Sequence, residues 1–221
     1  MSKDLPFADR REAGIRLGKL LLGEAGLDRE CLILGLVRGG AEIAFHLSAT
    51  TGVSWDIMIV RKIGAPSQPE YALGAYAESG TYFLNEQAAR HMGLDAGWFD
   101  RALQRAQQEC RALQAELRGE ARQLDFSGRR VILTDDGIAT GMTMRAALEA
   151  ARRGGAKEVA VAVPVLAMDS RDMLIDAGVK LHYIACPAAF HAVGQFYRNF
   201  GPVTSETVRL LLSAREPGAQ A

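Results

Sequence analysis

From residue 130 onward, short apolar runs alternate with segments of helical spacing, and this alternation limits the folds open to the chain. Strands are expected over 130–134, 158–163 and 179–185, separated by helices over 142–153 and 169–177. Parallel strands cannot be joined by a tight turn; they need a crossover of roughly a dozen residues, usually a helix. Strand–helix–strand alternation at this spacing reads as βαβ units, and so as an α/β parallel sheet flanked by helices.

The N-terminal half follows the pattern less regularly. Ala13, Leu17, Leu20 and Leu21 recur at helical spacing within 9–26, with Gly26 as a stop. A buried strand is expected over 31–37, closed by Arg38-Gly39-Gly40, then a helix over 41–50 and a strand over 55–62. Gly64, Pro66 and Pro69 suggest a loop over 63–70, followed by a hairpin from 71–77 to 81–84. The segment 100–123 is dense in helix formers. Its arginines (Arg101, Arg105, Arg111, Arg118, Arg122) alternate with Glu109, Glu116 and Glu120, the pattern of a solvated helix face. A segment rich in Pro, Gly and aromatic residues, 187–201, precedes a last helix near 203–214.

Composition fits a single domain over 1–221, with 48% apolar and 24% charged residues. Twenty-six basic residues balance 26 acidic ones. A broad nucleic-acid or anionic-membrane surface calls for a basic excess, so any anion site here must be local. Cys31, Cys110 and Cys186 are widely spaced, which suits a reducing, cytoplasmic setting. No apolar leader follows the opening charges. The longest strongly apolar stretch, 159–168, falls well short of the ~18 residues of a membrane span. His46, His91, His182 and His191 show no metal-ligand spacing, and no metal ligand is assigned.

The chemistry concentrates in VILTDDGIATGMTM, residues 131–144. A buried strand ends in Asp135 and Asp136, and a Gly/Thr loop then leads into a helix. Gly137 and Gly141 allow tight backbone, so loop amides and first-turn helix amides can converge on an anion. With the hydroxyls of Thr140 and Thr143, this nest suits a phosphate monoester. The two carboxylates beside it, at the carboxyl end of a strand, suit the vicinal hydroxyls of a sugar phosphate. No GxxxxGK[ST], GxGxxG or GxSxG motif occurs. A phosphorelay receiver would need a further Asp and a Lys at later strand ends, and the later aspartates fall on helices.

Residues 131–144 resemble the phosphoribosyl-diphosphate (PRPP) signature of type I phosphoribosyltransferases: hydrophobic strand, acidic pair, GxxTG loop and following Thr. LGLVRGG (34–40) resembles that family's pyrophosphate loop. With VRKIGAPSQPEYALGAYAESG (60–80) the pattern is similar to a predicted subgroup, over about residues 7–212. For that subgroup the resemblance supplies no acceptor. It implies a Rossmann-like parallel sheet with a small hood, drawn from 187–221 with an N-terminal contribution.

By this resemblance, Gly137, Ile138, Ala139, Thr140, Gly141 and Thr143 hold the 5-phosphate, and Asp135 and Asp136 face the ribose hydroxyls. Arg38 and the Gly39 amide, with Lys62 or Arg61, neutralise pyrophosphate. Mg²⁺ arrives with PRPP, and no separate metal site is assigned. A small nitrogenous acceptor, such as a nucleobase, is expected at 187–200, where Phe190, Phe196 and Tyr197, with Arg198, either stack on it or pack the last helix against the sheet, and Phe7, Asp9 and Arg10 are further contributors. Purine members of the family commonly carry an Asp where Ala139 stands, which argues against purine salvage through that group. The expected activity is pentosyl transfer in nucleotide metabolism, with a homo-oligomer allowed. A PRPP- or nucleotide-sensing regulator with little turnover is the alternative.

Overall fold

The computed structural model describes residues 5–23, 27–28, 30–66, 68–119 and 124–214. Several expectations lie outside those residues: the stop at Gly26, the positions of Glu120 and Arg122, the start of the leader reading (1–4), and 215–221 of the hood.

Helix α1 (Arg10–Leu22) starts at Asp9, whose carboxylate caps it by accepting from the Glu12 amide at 2.8 Å. Strand β1 (Cys31–Leu36) is buried at every position, and α2 (Gly39–Thr51) and β2 (Ser54–Met58) follow. The C-terminal half supplies β6 (Arg130–Thr134), α5 (Met142–Arg153), β7 (Glu158–Val165), α6 (Met168–Asp176) and β8 (Lys180–Ala185). These strands form one parallel sheet in the order β2-β1-β6-β7-β8.

Successive strand residues point to opposite faces, and the core divides accordingly. Ile33, Ile132 and Ala162 pack with α1 and α2 residues such as Leu17, Ile43 and Leu47. Leu32, Leu34, Val131, Leu133, Val161 and Val163 pack with Met144, Ala147, Leu148 and Leu174 of α5 and α6. Helices thus cover both faces, as the alternating pattern predicts.

The segment between these halves departs from the sequence reading. The run expected as one strand over 55–62 is two: β2 ends at Met58, and β3 (Val60–Ala65) belongs to a second, antiparallel sheet with β4 (Gln68–Ala77) and β5 (Tyr82–Leu84). Ile59 alone separates them. The loop expected over 63–70 is mostly strand, because Gly64 marks a register shift in the β3–β4 ladder rather than its end. The hairpin expected from 71–77 to 81–84 is present as β4–β5.

The junction between the sheets is tied. The Ile59 amide donates to Glu78 Oε1 (2.8 Å) and the Glu78 amide donates to the Ile59 carbonyl (2.9 Å). After the short α3 (Glu86–His91), the long α4 (Ala96–Arg118) brings its last residue to the same point. Arg118, with 2% of its side chain exposed, donates to Glu78 Oε2 (2.5 Å), to Asp56 Oδ1 (3.2 Å) and to the Ile57 carbonyl. Arg118 therefore belongs to a buried ion cluster and not to a solvated face, whereas Arg101, Arg105 and Arg111 are exposed. No described helix is long and apolar enough to cross a membrane.

The chain closes with a 3-10 turn (Val193–Phe196) and α7 (Ser205–Ser213). Residues 7–8 pair with 196–199: the Phe7 amide donates to the Phe196 carbonyl, and the Arg198 and Asn199 amides donate to the carbonyls of Phe7 and Ala8. Residues 7–8 are thus paired by backbone to the segment from which a hood is expected.

Candidate active site

In the parallel sheet, β1 connects outward to β2 while β6 continues the chain in the opposite direction, so the order reverses between β1 and β6. Open α/β sheets bind ligands at such a point, outside the carboxyl ends of the strands. The register pairs Gly35 with Thr134, which brings the loops after β1 and β6 side by side. Both motifs singled out in the sequence lie there.

The contact between the loops is close. A β-carbon at Gly39 would stand 2.1 Å from Asp136 Oδ2, so the carboxylate lies directly against this glycine. Gly40 also passes close to the Thr134 carbonyl. The Asp136 amide donates to Asp135 Oδ1 at 2.9 Å, and the Gly40 amide also supports Asp135. Burial pushes the Asp135 carboxyl well above the ordinary carboxylate range, and the Asp136 charge adds to that push. Burial raises Asp136 too, opposed by the charge and hydrogen bond of Arg10. The Arg38 side chain is partly exposed at the N-terminus of α2, and the Val37–Arg38 peptide is cis.

The loop over 137–141 is anchored from below. The Ile138 amide donates to the Val165 carbonyl (3.0 Å) and its carbonyl accepts from the Ala167 amide (2.9 Å), so Ile138 is a buried support. Ser170 of α6 donates its hydroxyl to the Ala139 carbonyl at 2.6 Å. Ala139 and Thr140 are exposed above these supports, and Thr143 is half-buried in the first turn of α5. Gly141, at φ +73°, turns the chain into α5 in the left-handed region that favours glycine. It has no side chain to cap the helix, which leaves the first-turn amides for an anion.

The other expected residues are distributed as follows. Arg61 is engaged on α4, donating through Nε (2.9 Å) and Nη2 (2.8 Å) to Glu109 Oε2; Lys62, its neighbour on β3, is exposed. Phe196 and Tyr197 are buried, and Phe190 packs on Phe196 with ring centroids 4.9 Å apart. Tyr197 lies between Phe7 (5.3 Å) and Phe200 (5.0 Å), and its hydroxyl donates to the Asp136 carbonyl at 2.5 Å. Burial raises the Tyr197 phenol, keeping it a donor. Phe200, 37% exposed, is the more open ring of this group.

Ser170 and Glu42 have no local signature in the sequence, and Arg10, expected only as a contributor to the hood, contacts the acidic pair. Ser170 reads as an ordinary helix residue. Arg10 donates from Nε to Asp136 Oδ2 at 2.8 Å, a contact spanning 126 positions. Glu42, in the first turn of α2, is half-buried; burial raises its carboxyl, Arg10 lowers it, and Asp9 and Asp136 raise it further.

Residues 23–183 match the phosphoribosyl transferase domain family. The chain belongs to that family. In two strains of Mycobacterium tuberculosis, proteins named "Putative phosphoribosyl transferase" are 36% identical to it over 202 residues, 91% of this chain. The chain spans 45% of the length of these relatives. Among solved structures, the protein TT1426 from Thermus thermophilus is 36% identical, with a TM-score of 0.76 over 94% of this chain and 98% of that one. The family match takes in both the loop after β1 and the acidic pair with its Gly/Thr loop. Helix α1 precedes it, and the hood segment after β8 lies beyond it.

Proposed function

We propose that the protein transfers the ribosyl 5-phosphate of PRPP to a small nitrogenous acceptor and releases pyrophosphate. The observation that carries this reading is the placement of Asp135 and Asp136 between two anion-suited loops at the point where the strand order reverses. On one side, Thr140, Thr143 and the uncapped amides of α5 take the 5-phosphate. On the other, Arg38 and the amides opening α2 face the pyrophosphate, with Lys62 as the further cation. Between them, Asp136 keeps Oδ1 for a ribose hydroxyl while Arg10 occupies Oδ2.

In the reaction, the bond from the anomeric carbon to the pyrophosphate oxygen breaks as a bond to the acceptor nitrogen forms. Such displacements pass through an oxocarbenium-like state. Stabilising charge on the leaving pyrophosphate is then the principal task of Arg38 and the Gly39 amide. One well-placed contact of this kind is worth about 10²–10³ in rate. The described residues include no group of three or more His, Cys, Asp or Glu able to hold a metal. Two carboxylates set against a diphosphate site fit an Mg²⁺ that enters on PRPP and keeps several waters. When bound, that ion neutralises pyrophosphate charge. Ala139 offers no acid or base beside the acceptor, consistent with an acceptor other than a purine handled through that position.

Titration calorimetry with Mg²⁺ and PRPP, followed by pooled nucleobases and a pyrophosphate assay, tests the proposal. Binding with acceptor-dependent pyrophosphate release is expected. Binding without release from any acceptor supports the sensing role instead, and no binding refutes the reading.

A further inference from the structure

Arg10 begins α1, outside the 23–183 family match, and its side chain is 8% exposed. Its guanidinium is held on three sides. Nε donates to Asp136 Oδ2 (2.8 Å), Nη1 donates to the Gly201 carbonyl (2.8 Å), and the guanidinium carbon stands 3.9 Å from the centre of the Phe200 ring. A planar guanidinium presents its face to an aromatic ring while its edge donates in fixed directions to a carboxylate and a carbonyl, a geometry a rotatable ammonium does not fix. Gly201 and Phe200 also fall beyond the family match, as does Tyr197, which grips the Asp136 carbonyl from the same hood.

Asp136 is therefore fixed at two atoms, Oδ2 by Arg10 and the backbone carbonyl by Tyr197, while Gly39 packs against the same Oδ2. A buried ion pair is in general a weak source of stability compared with an apolar replacement. Here the pair also does something a stabilising contact need not do: it commits one oxygen of Asp136, Oδ2, to Arg10.

We infer that Arg10 is a positioning residue for sugar-phosphate binding, acting through Asp136 and joining the aromatic hood to the donor pocket. This rests on the transferase reading. The aromatic chain Phe7–Tyr197–Phe200–Arg10 then runs from the hood's own backbone pairing to the carboxylate that receives the ribose. Occupancy of the hood and orientation of the Asp136 carboxylate are consequently linked through Arg10, with Tyr197 holding the Asp136 backbone.

A double-mutant cycle tests this. The affinity for Mg²⁺–PRPP is measured by calorimetry for wild type, Arg10→Met, Asp136→Ala and the double variant, with thermal unfolding recorded for each. Arg10→Met is expected to weaken binding about 10-fold, the scale of one hydrogen bond to a charged group. Arg10→Lys falls between. In the Asp136→Ala background, Arg10→Met is expected to change affinity by less than about 2-fold, because its route of action is gone. A merely structural Arg10 gives losses that add across the cycle, which overturns the inference, as does unchanged affinity in Arg10→Met. If Arg10→Met does not fold, the Arg10→Lys cycle carries the same comparison. Failure of the wild type to bind PRPP refutes the transferase reading itself, a result distinct from additive losses in a protein that binds.

Discussion

Gly39 separates the two loops of the pocket by so little that one methyl group tests the geometry. In Gly39→Ala the new β-carbon falls 2.1 Å from Asp136 Oδ2 and 2.6 Å from its carboxyl carbon. Ordinary contact begins near 3.4 Å, so the oxygen must retreat by about 1.3 Å. That retreat cannot keep the 2.8 Å bond to Arg10 in its present geometry. Losing a hydrogen bond to a charged group costs about 1.5–3 kcal/mol, equivalent to roughly 10- to 100-fold in affinity. The backbone should not object. Gly39 is the first residue of α2, is not at positive φ, and stands where alanine favours the helix. The expected result is weakened Mg²⁺–PRPP binding by calorimetry, with Tm lowered by roughly 3–10 °C because the lost bond is also made in the free protein. Gly40→Ala is the control. Its β-carbon would meet the Thr134 carbonyl at 2.6 Å and Asp135 Cα at 3.0 Å, backbone that cannot swing aside. Overpacking of that kind costs about 1–3 kcal/mol, or roughly 3–10 °C. Wild-type affinity in Gly39→Ala, or an equal loss of affinity in both variants, refutes the reasoning.

Two further perturbations follow from the buried charges. Burial raises the Asp135 carboxyl, so the folded protein holds that proton to higher pH than the unfolded chain does. The stability this group contributes is complete below the unfolded value of about 4 and is lost as pH rises through the higher folded value. Asp135→Asn removes that dependence. The variant is expected to match or exceed wild-type Tm at pH 7, with the gain shrinking toward pH 4, while PRPP affinity falls; a lower Tm at pH 7 contradicts this. Arg118→Met leaves Glu78 and Asp56 buried without their shared cation. A loss of about 3–5 kcal/mol is expected in denaturant unfolding, and a loss below about 1 kcal/mol argues against the cluster's role.

What the sequence made legible is what it keeps contiguous. Asp135, Asp136, the Gly/Thr loop and Thr143 occupy one strand, one turn and the start of one helix, so local rules locate them together. The loop at 38–40 is legible for the same reason. Ser170 is not, nor is the bond from Arg10 to Asp136, although the N-terminal stretch marks Arg10 as a contributor: the partners lie 31 and 126 positions away. Arg118 looks like Arg111 in the charge pattern, and only the third dimension sets it against Glu78 and Asp56. The change of sheets at Ile59 leaves no mark either: Ile57, Met58, Ile59 and Val60 are all buried, so an unbroken apolar run conceals a break in pairing. Gly64 misleads in the opposite sense, since a bulge and a loop use the same residue. The aromatics of the hood are visible as a cluster. Of the two roles the sequence leaves open for them, stacking and packing, the burial of Phe196 and Tyr197 and the Tyr197 bond to the Asp136 carbonyl accord with packing.

The tied junction at Ile59 gives the second sheet the mechanics of a lever with its fulcrum clamped. Strand β3 leaves that point at about 3.3 Å per residue, which puts Lys62 roughly 10 Å out and Ala65 roughly 20 Å out. A rigid swing of about 10° about the clamp then displaces the lysine by about 1.7 Å and the tip by about 3.5 Å, taking the same rise per residue. Lys62 rides the short arm. Its charge moves about half as far as the end of the strand does, so a swing of the sheet would change the far end more than the position of the lysine.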